Sequence, residues 1–171
     1  MKTHKWTNVA ADISVDEIGE SCYSLIKRLY PLCRSITGEG TRETLEILGE
    51  HIDLDIKSIA TGTPVFDWTV PKEWNIRKAC IETLSGEIIV DFENSNLHVV
   101  SYSVPVDEVV SLDELQQHLH SIPEHPDWIP YRTAYYNETW GFCLSENQRQ
   151  SLRDEHYRVH IDSELKAGHL R

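Results

Sequence analysis

Three histidines have the residue type and the spacing that a metal site could use. His118, His120 and His125 lie close together, and a zinc site needs three or four converging ligands. His118 and His120 fall in a segment predicted to be helical, where residues two apart do not share a face. We therefore interpret the three histidines as surface residues, with a metal site as the alternative.

His160 and Asp162 have the His-x-Asp spacing of many zinc hydrolases. On a strand the two side chains would share a face, but two ligands do not make a site. A solvated pair is the favoured interpretation and a ligand pair the alternative. Cys143 has no base close to it in sequence and is predicted to be a buried structural thiol. No nucleophile elbow, phosphate loop or His-Glu-x-x-His motif occurs, so we predict no catalytic residue and no metal ligand.

An arginine and several aromatic residues are candidates for binding a ligand without catalysing a reaction. Arg34 precedes a glycine-containing loop, where a guanidinium can grip a carboxylate or satisfy carbonyls at a helix end. Asp67 beside Trp68 can line a polar-aromatic site or anchor a domain junction. The segment 131–136, Tyr-Arg-Thr-Ala-Tyr-Tyr, closes towards Trp140 and can stack on a ligand or cover a sheet edge. These alternatives stay open from the residues alone.

The elements that must position these residues are marked by caps and by alternation. Ser14, Ser111 and Ser145 are each followed three residues later by Glu or Gln, which predicts capping boxes and helix starts. Thr41 is predicted to cap a further helix. Alternating apolar residues predict strands, and Ser85-Gly86 predicts a hairpin turn. The predicted strands cover residues 54–59, 77–84, 87–92, 97–104 and 157–161, and residues 1–13 are predicted to be a loose extension.

Composition limits the function classes. The net charge is −12, with 28 acidic and 16 basic residues, which argues against nucleic-acid partners and against an anionic membrane surface. The four cysteines form no Cys-x-x-Cys pair and are expected to be free thiols. Neither a signal peptide nor an apolar run of membrane-spanning length is found in the sequence. We expect a cytoplasmic protein.

Several long segments occur in a fixed order. They are Tyr30-Pro-Leu-Cys-Arg-Ser-Ile-Thr-Gly38, Val65-Phe-Asp-Trp-Thr-Val-Pro-Lys-Glu-Trp74, Leu97-His-Val-Val-Ser-Tyr-Ser-Val-Pro105, Ile129-Pro-Tyr-Arg-Thr133, Tyr135-Tyr136 and Trp140-Gly-Phe-Cys143. Together these segments resemble a bacterial and archaeal family of aminopeptidase-like proteins. Members of that family are described as zinc peptidases of the twenty-eighth metallopeptidase family, or as polysaccharide-biosynthesis proteins with an aminopeptidase-like domain. The resemblance runs from about residue 21 to residue 165.

The resemblance implies an α/β fold class, namely the start of a zinc-exopeptidase-like α/β domain with an inserted mainly-β module. Residues 1–62 would form an N-terminal extension and the start of the α/β domain, and residues 63–155 the inserted module. Residues 156–171 would be a truncated return strand of the α/β domain. Family members are longer, and their metal-binding segment would lie beyond residue 171. Zinc is therefore expected in the full-length protein, with none bound by this chain.

The resemblance also implies two alternative functions. In the first, the full-length protein is a metal-dependent hydrolase that cleaves a peptide or amide bond of a small-molecule substrate, and this chain alone is inactive. In the second, the chain is a non-catalytic binding module for an aminosugar or glycan precursor. Self-association into a homo-oligomer is left open. The residues predicted to bind substrate are Arg34, Asp67, Trp68, Tyr102, Arg132, Tyr135 and Trp140.

Overall fold

The computed structural model describes residues 14–135 and 137–171. The predicted extension over residues 1–13, and Tyr136, lie outside the described residues. The chain divides into two compact units, residues 1–31 and 32–171. In the first unit, helix α1 (Val15–Leu29) begins after Ser14 as predicted and ends two residues before Pro31, which has no backbone N–H to continue the helix. The Ser14 side chain makes no capping hydrogen bond, so the predicted capping box is wrong there.

The second unit combines helices with several small sheets. In chain order its elements are α2 (Glu39–Gly49), β1 (Ile59–Ala60), β2 (Pro64–Val65), β3 (Trp68–Thr69), β4 (Glu73–Thr83), β5 (Ile88–Asp91), β6 (Val106–Ser111), α3 (Leu112–Gln117), β7 (Leu119–His120), β8 (Phe142–Cys143), α4 (Glu146–Ser151), β9 (His156–Lys166) and β10 (His169–Leu170). The chain is thus mixed α/β. No described helix combines the length and the apolar character that crossing a bilayer requires.

The largest sheet is antiparallel and has the strand order β5-β4-β9-β6. Strands β4 and β9 pair along their whole length, from Glu73 opposite Lys166 to Thr83 opposite Tyr157. The predicted hairpin at residues 85–86 is confirmed, and Gly86 there has a φ of 88°, which glycine adopts at little cost. One face of β9 is buried, as its alternating apolar residues predicted.

The position of β9 bears on the expected domain borders. Residues 156–171 were expected to form a strand of a separate α/β domain. In the structure β9 lies between β4 and β6 in a single sheet, and both of those strands fall within residues 63–155. The borders at 62/63 and 155/156 stay a prediction.

Three predicted local features are wrong. Residues 97–104 form no strand, because a 3-10 turn occupies Asn96–His98 and Tyr102 takes a φ of 71°, which interrupts extended backbone. The strand predicted over 54–59 is reduced to β1. Helix α2 already begins after Gly38, and the Thr41 hydroxyl donates to the Ser35 carbonyl at 2.6 Å instead of capping the helix.

Candidate functional site

A buried aromatic stack lies under the candidate site. Tyr102 is 1% exposed, and its ring stacks on Trp74 with centroids 5.9 Å apart and meets Tyr135 edge-on at 5.3 Å. The Tyr102 hydroxyl lies 2.7 Å from Thr37 Oγ1, and Trp74 Nε1 donates to the Ser103 carbonyl at 2.9 Å. Tyr102 is closed off from solvent and supports Tyr135, whereas Tyr135 as a whole residue is 36% exposed.

Tyr135 borders an open cleft of about 200 Å³, which we call the tyrosine cleft. Lys72, Asn137 and Glu138 supply its polar lining, and Pro71, Val104 and Leu165 supply its apolar lining. An aromatic edge with a few polar groups of both charges is typical of small-molecule sites.

Asn137 also lines a second open cleft, of about 360 Å³, which we call the arginine cleft. Arg132 and Trp140, both predicted to bind substrate, come together in its wall. The structure adds His118 and His120 to the same wall. Each residue of 132–135 and 137–140 therefore lines one of the two clefts, and Asn137 lines both.

Short strands bring the two histidines into the arginine cleft. Helix α3 ends at Gln117, and β7 then pairs in parallel with β8, with His120 opposite Cys143. Two backbone hydrogen bonds hold β7 against β8. Phe142 N donates to the His118 carbonyl at 2.9 Å, and Leu144 N donates to the His120 carbonyl at 3.1 Å. The prediction that these histidines diverge on a helix is wrong, because the chain is already leaving the helix at His118. Alternation along a strand would have placed them on one face.

Trp140 fixes the ring of His118. The two rings are stacked with centroids 3.7 Å apart and planes 11° apart, and His118 Nδ1 lies 2.8 Å from the Trp140 carbonyl oxygen. A carbonyl only accepts, so Nδ1 carries the proton and donates. Nε2 is left as the acceptor nitrogen of the ring. Gly141 permits this close packing, since a Cβ there would lie 2.9 Å from the His118 carbonyl oxygen.

The backbone of Arg132 is held by Ser101. Ser101 N donates to the Arg132 carbonyl at 2.9 Å, and Ala134 N donates to the Ser101 carbonyl at 2.9 Å. Burial lowers the pKa of His120, and the nearby charges of Arg132 and Arg149 lower it further. Burial raises the pKa of the Cys143 thiol to about 11, so this buried cysteine stays protonated at neutral pH and is a poor nucleophile.

The remaining predicted binding residues lie elsewhere. Arg34 is exposed in the loop before α2, Asp67 is exposed in the turn between β2 and β3, and Trp68 is half-buried on β3. None of the three lines either cleft. Their assignment to substrate binding stays a prediction.

The histidine–aspartate pair on β9 is engaged with neighbouring charges. Asp162 accepts from Arg77, with Nε donating to Oδ2 at 2.8 Å, and His160 Nδ1 lies 3.8 Å from an oxygen of Asp107. Across residues 14–135 and 137–171, no three His, Cys, Asp or Glu side chains are grouped so that they could hold a metal ion.

These features define a mixed α/β module with two adjoining surface clefts. Residues 73–164, from the start of β4 to near the end of β9, match the model of a family described as Domain of unknown function (DUF2172). The chain belongs to this family.

A sequence comparison and a structure comparison each find a match from Clostridium acetobutylicum. One is provisionally named a polysaccharide biosynthesis protein with an aminopeptidase-like domain, and it is 53% identical over 154 residues, which cover 90% of this chain and 36% of that protein. The other is a crystal structure at 2.37 Å of a protein provisionally named a peptidase, with a TM-score of 0.86, 52% identity and coverage of 90% of this chain and 36% of that one. The chain thus spans 36% of the length of these relatives.

Proposed function

We propose that this chain is the N-terminal part of a longer, metal-dependent aminopeptidase-like hydrolase that cleaves a peptide or amide bond. The observation that carries the proposal is the 52% identity and TM-score of 0.86 to a protein named as a peptidase. In this proposal residues 1–62 begin the zinc-exopeptidase-like domain, and the zinc ligands lie outside this chain. Bound zinc would polarise the scissile carbonyl and lower the pKa of a water molecule.

In the same proposal the two clefts contact the substrate. Arg132 offers a planar fork of donors that suits a carboxylate, and Tyr135 and Trp140 supply aromatic surface beside it. Such contacts position a substrate without touching the scissile bond, so they would act on binding rather than on the chemical step.

Hydrolysis of an aminoacyl amide by the longer protein and by the 171-residue chain, measured side by side, tests the proposal. We expect the longer protein to lose activity with a chelator and regain it with zinc, and the chain alone to be inactive under both conditions. Stoichiometric zinc binding and hydrolysis by the chain alone would contradict the proposal, as would an inactive zinc-loaded longer protein.

A second candidate is a binding module for an aminosugar or glycan precursor. The tyrosine cleft favours it, because Glu138 and Asn137 lie beside an exposed tyrosine ring and a carboxylate can pair with a sugar ammonium group. Calorimetric titration of the chain with glucosamine tests this second candidate function. Saturable binding that weakens in Glu138→Gln but not in Glu124→Gln, outside the cleft, supports it, and equal binding by all three proteins contradicts it.

A further inference from the structure

The arginine cleft differs in charge from the rest of the chain. The chain carries 28 acidic residues and a net charge of −12, yet the described lining of this cleft has a guanidinium, two imidazoles and no carboxylate. The other polar groups there include the amides of Gln117 and Asn137 and the hydroxyls of Thr133 and Thr139. A concave wall that presents a guanidinium and no carboxylate in an acidic protein suits an anionic ligand.

Arg132 is available for such a ligand. Arg42, Arg77 and Arg158 each pair with a carboxylate of the chain. Within the part of the chain that the structure describes, no hydrogen bond or ion pair engages the guanidinium of Arg132, which lies at the cleft. A guanidinium binds carboxylate and phosphate oxygens through two parallel bonds, which are among the strongest in proteins.

The backbone of the cleft wall is held in place before any ligand arrives. The His118 ring is fixed by its stacking on Trp140 and by its Nδ1 bond. The pairing of β7 with β8 holds the backbone of His120, and a backbone bond to Ser101 holds that of Arg132. A wall that is already ordered loses less conformational freedom on binding, which favours affinity. Burial, and then the charges of Arg132 and Arg149, lower the pKa of His120, so its ring donates as a neutral imidazole.

We propose that the arginine cleft binds a small organic oxyanion, a carboxylate or a phosphate carried on a ring or short chain, through Arg132, with the His120 ring as a second donor. The volume of about 360 Å³ falls at the lower end of the range for small-molecule sites. The inference rests on the proposed function and names the ligand class of the same cleft. Binding is measured on this chain without hydrolysis, so a failure of this inference is distinguishable from a failure of the proposed hydrolase.

Calorimetric titration of the 171-residue chain at pH 7 and low salt tests the proposal with three ligands that share one ring. These are glucuronate, glucose 6-phosphate and glucose, with inorganic phosphate as the free anion. We expect at least one ring-bearing anion to bind about tenfold or more tightly than glucose, since bonds to charged groups contribute that much. Preference for glucuronate would assign a carboxylate site, and preference for glucose 6-phosphate or phosphate a phosphate site.

Arg132→Gln should weaken anion binding about tenfold or more, and Arg132→Lys should recover part of it. Arg77→Gln is the matched control, because it changes the net charge equally at an exposed position outside the cleft, and it should leave the affinity unchanged. Thermal unfolding establishes that each variant is folded. Equal affinity for glucose and the anions, equal losses in Arg132→Gln and Arg77→Gln, or no binding of any anion would overturn the proposal.

Discussion

At the scale of single residues, two arginine–carboxylate pairs of the same chemistry lie in different surroundings. Arg42 donates to Glu73 through Nη1–Oε1 at 2.7 Å and Nη2–Oε2 at 2.9 Å, and the Glu73 side chain is 4% exposed. Glu73 also accepts from His169 N at 2.8 Å, which ties β10 to the large sheet. Arg77 and Asp162 form a similar fork on the exposed face of that sheet.

Arg42→Gln should therefore lower the free energy of unfolding by about 2 kcal/mol, because it leaves the buried Glu73 carboxylate without its counter-ion. Urea unfolding monitored by circular dichroism measures the loss. Arg77→Gln is the matched control and should cost little, because exposed ion pairs are screened by water. Equal losses in the two variants would contradict this account of the buried pair.

The buried carboxylate also makes stability depend on pH. The hydrogen bonds from Arg42 lower the pKa of Glu73, outweighing its burial. A carboxyl group with a lowered folded pKa stabilises the fold fully above its unfolded pKa, about 4.3 for Glu. That contribution is lost as the pH falls through the folded pKa.

We expect the stability difference between the unmodified chain and Glu73→Gln to be constant near neutral pH and to shrink from about pH 5 to about pH 3. Urea midpoints at a series of pH values measure it, and Glu124→Gln, in an exposed loop, should show no such trend. A difference that stayed constant down to pH 3 would show that Glu73 is not the titrating group.

At the scale of elements, three serines with the same sequence pattern behave differently. The Ser145 hydroxyl accepts from Gln148 N at 3.1 Å, and the Gln148 side chain accepts from Ser145 N at 3.1 Å, which completes the capping box of α4. Ser111 accepts from Glu114 N at 3.2 Å at the start of α3. The side chain of Ser14 makes no such bond at α1.

Ser145→Ala should cost about 1 kcal/mol of unfolding free energy, since it leaves helix-end donors without a partner. Ser14→Ala changes the same pattern where no side-chain bond exists, so it should be close to neutral. Chemical unfolding of both variants gives the comparison. Equal effects at the two positions would argue against the difference in capping.

The elements also show what the sequence could predict. The hairpin at 85–86 and the helices after Ser111 and Ser145 depend on local turn and cap chemistry, which the sequence carries. The arginine cleft depends on contacts distant in sequence, such as Phe142 with His118 and Ser101 with Arg132. Local patterns do not encode such contacts. Residue type is enough to name Arg132 and Trp140 as candidates, which stays a prediction, whereas it does not place His118 and His120 in the same wall.

At the scale of the whole molecule, the chain spans 36% of the length of its Clostridium acetobutylicum relatives. The proposed hydrolase is therefore a property of a longer protein, to which this chain contributes the two clefts. The contribution expected from Arg132 is binding of a substrate carboxylate.

Steady-state kinetics of the longer protein tests that contribution most directly, with a dipeptide bearing a free carboxylate and with its C-terminal amide as substrates. We expect Arg132→Gln to raise KM for the free acid about tenfold or more, with kcat unchanged, and to leave KM for the amide unaltered. Unchanged KM for both substrates, or an equal rise for both, would contradict the account.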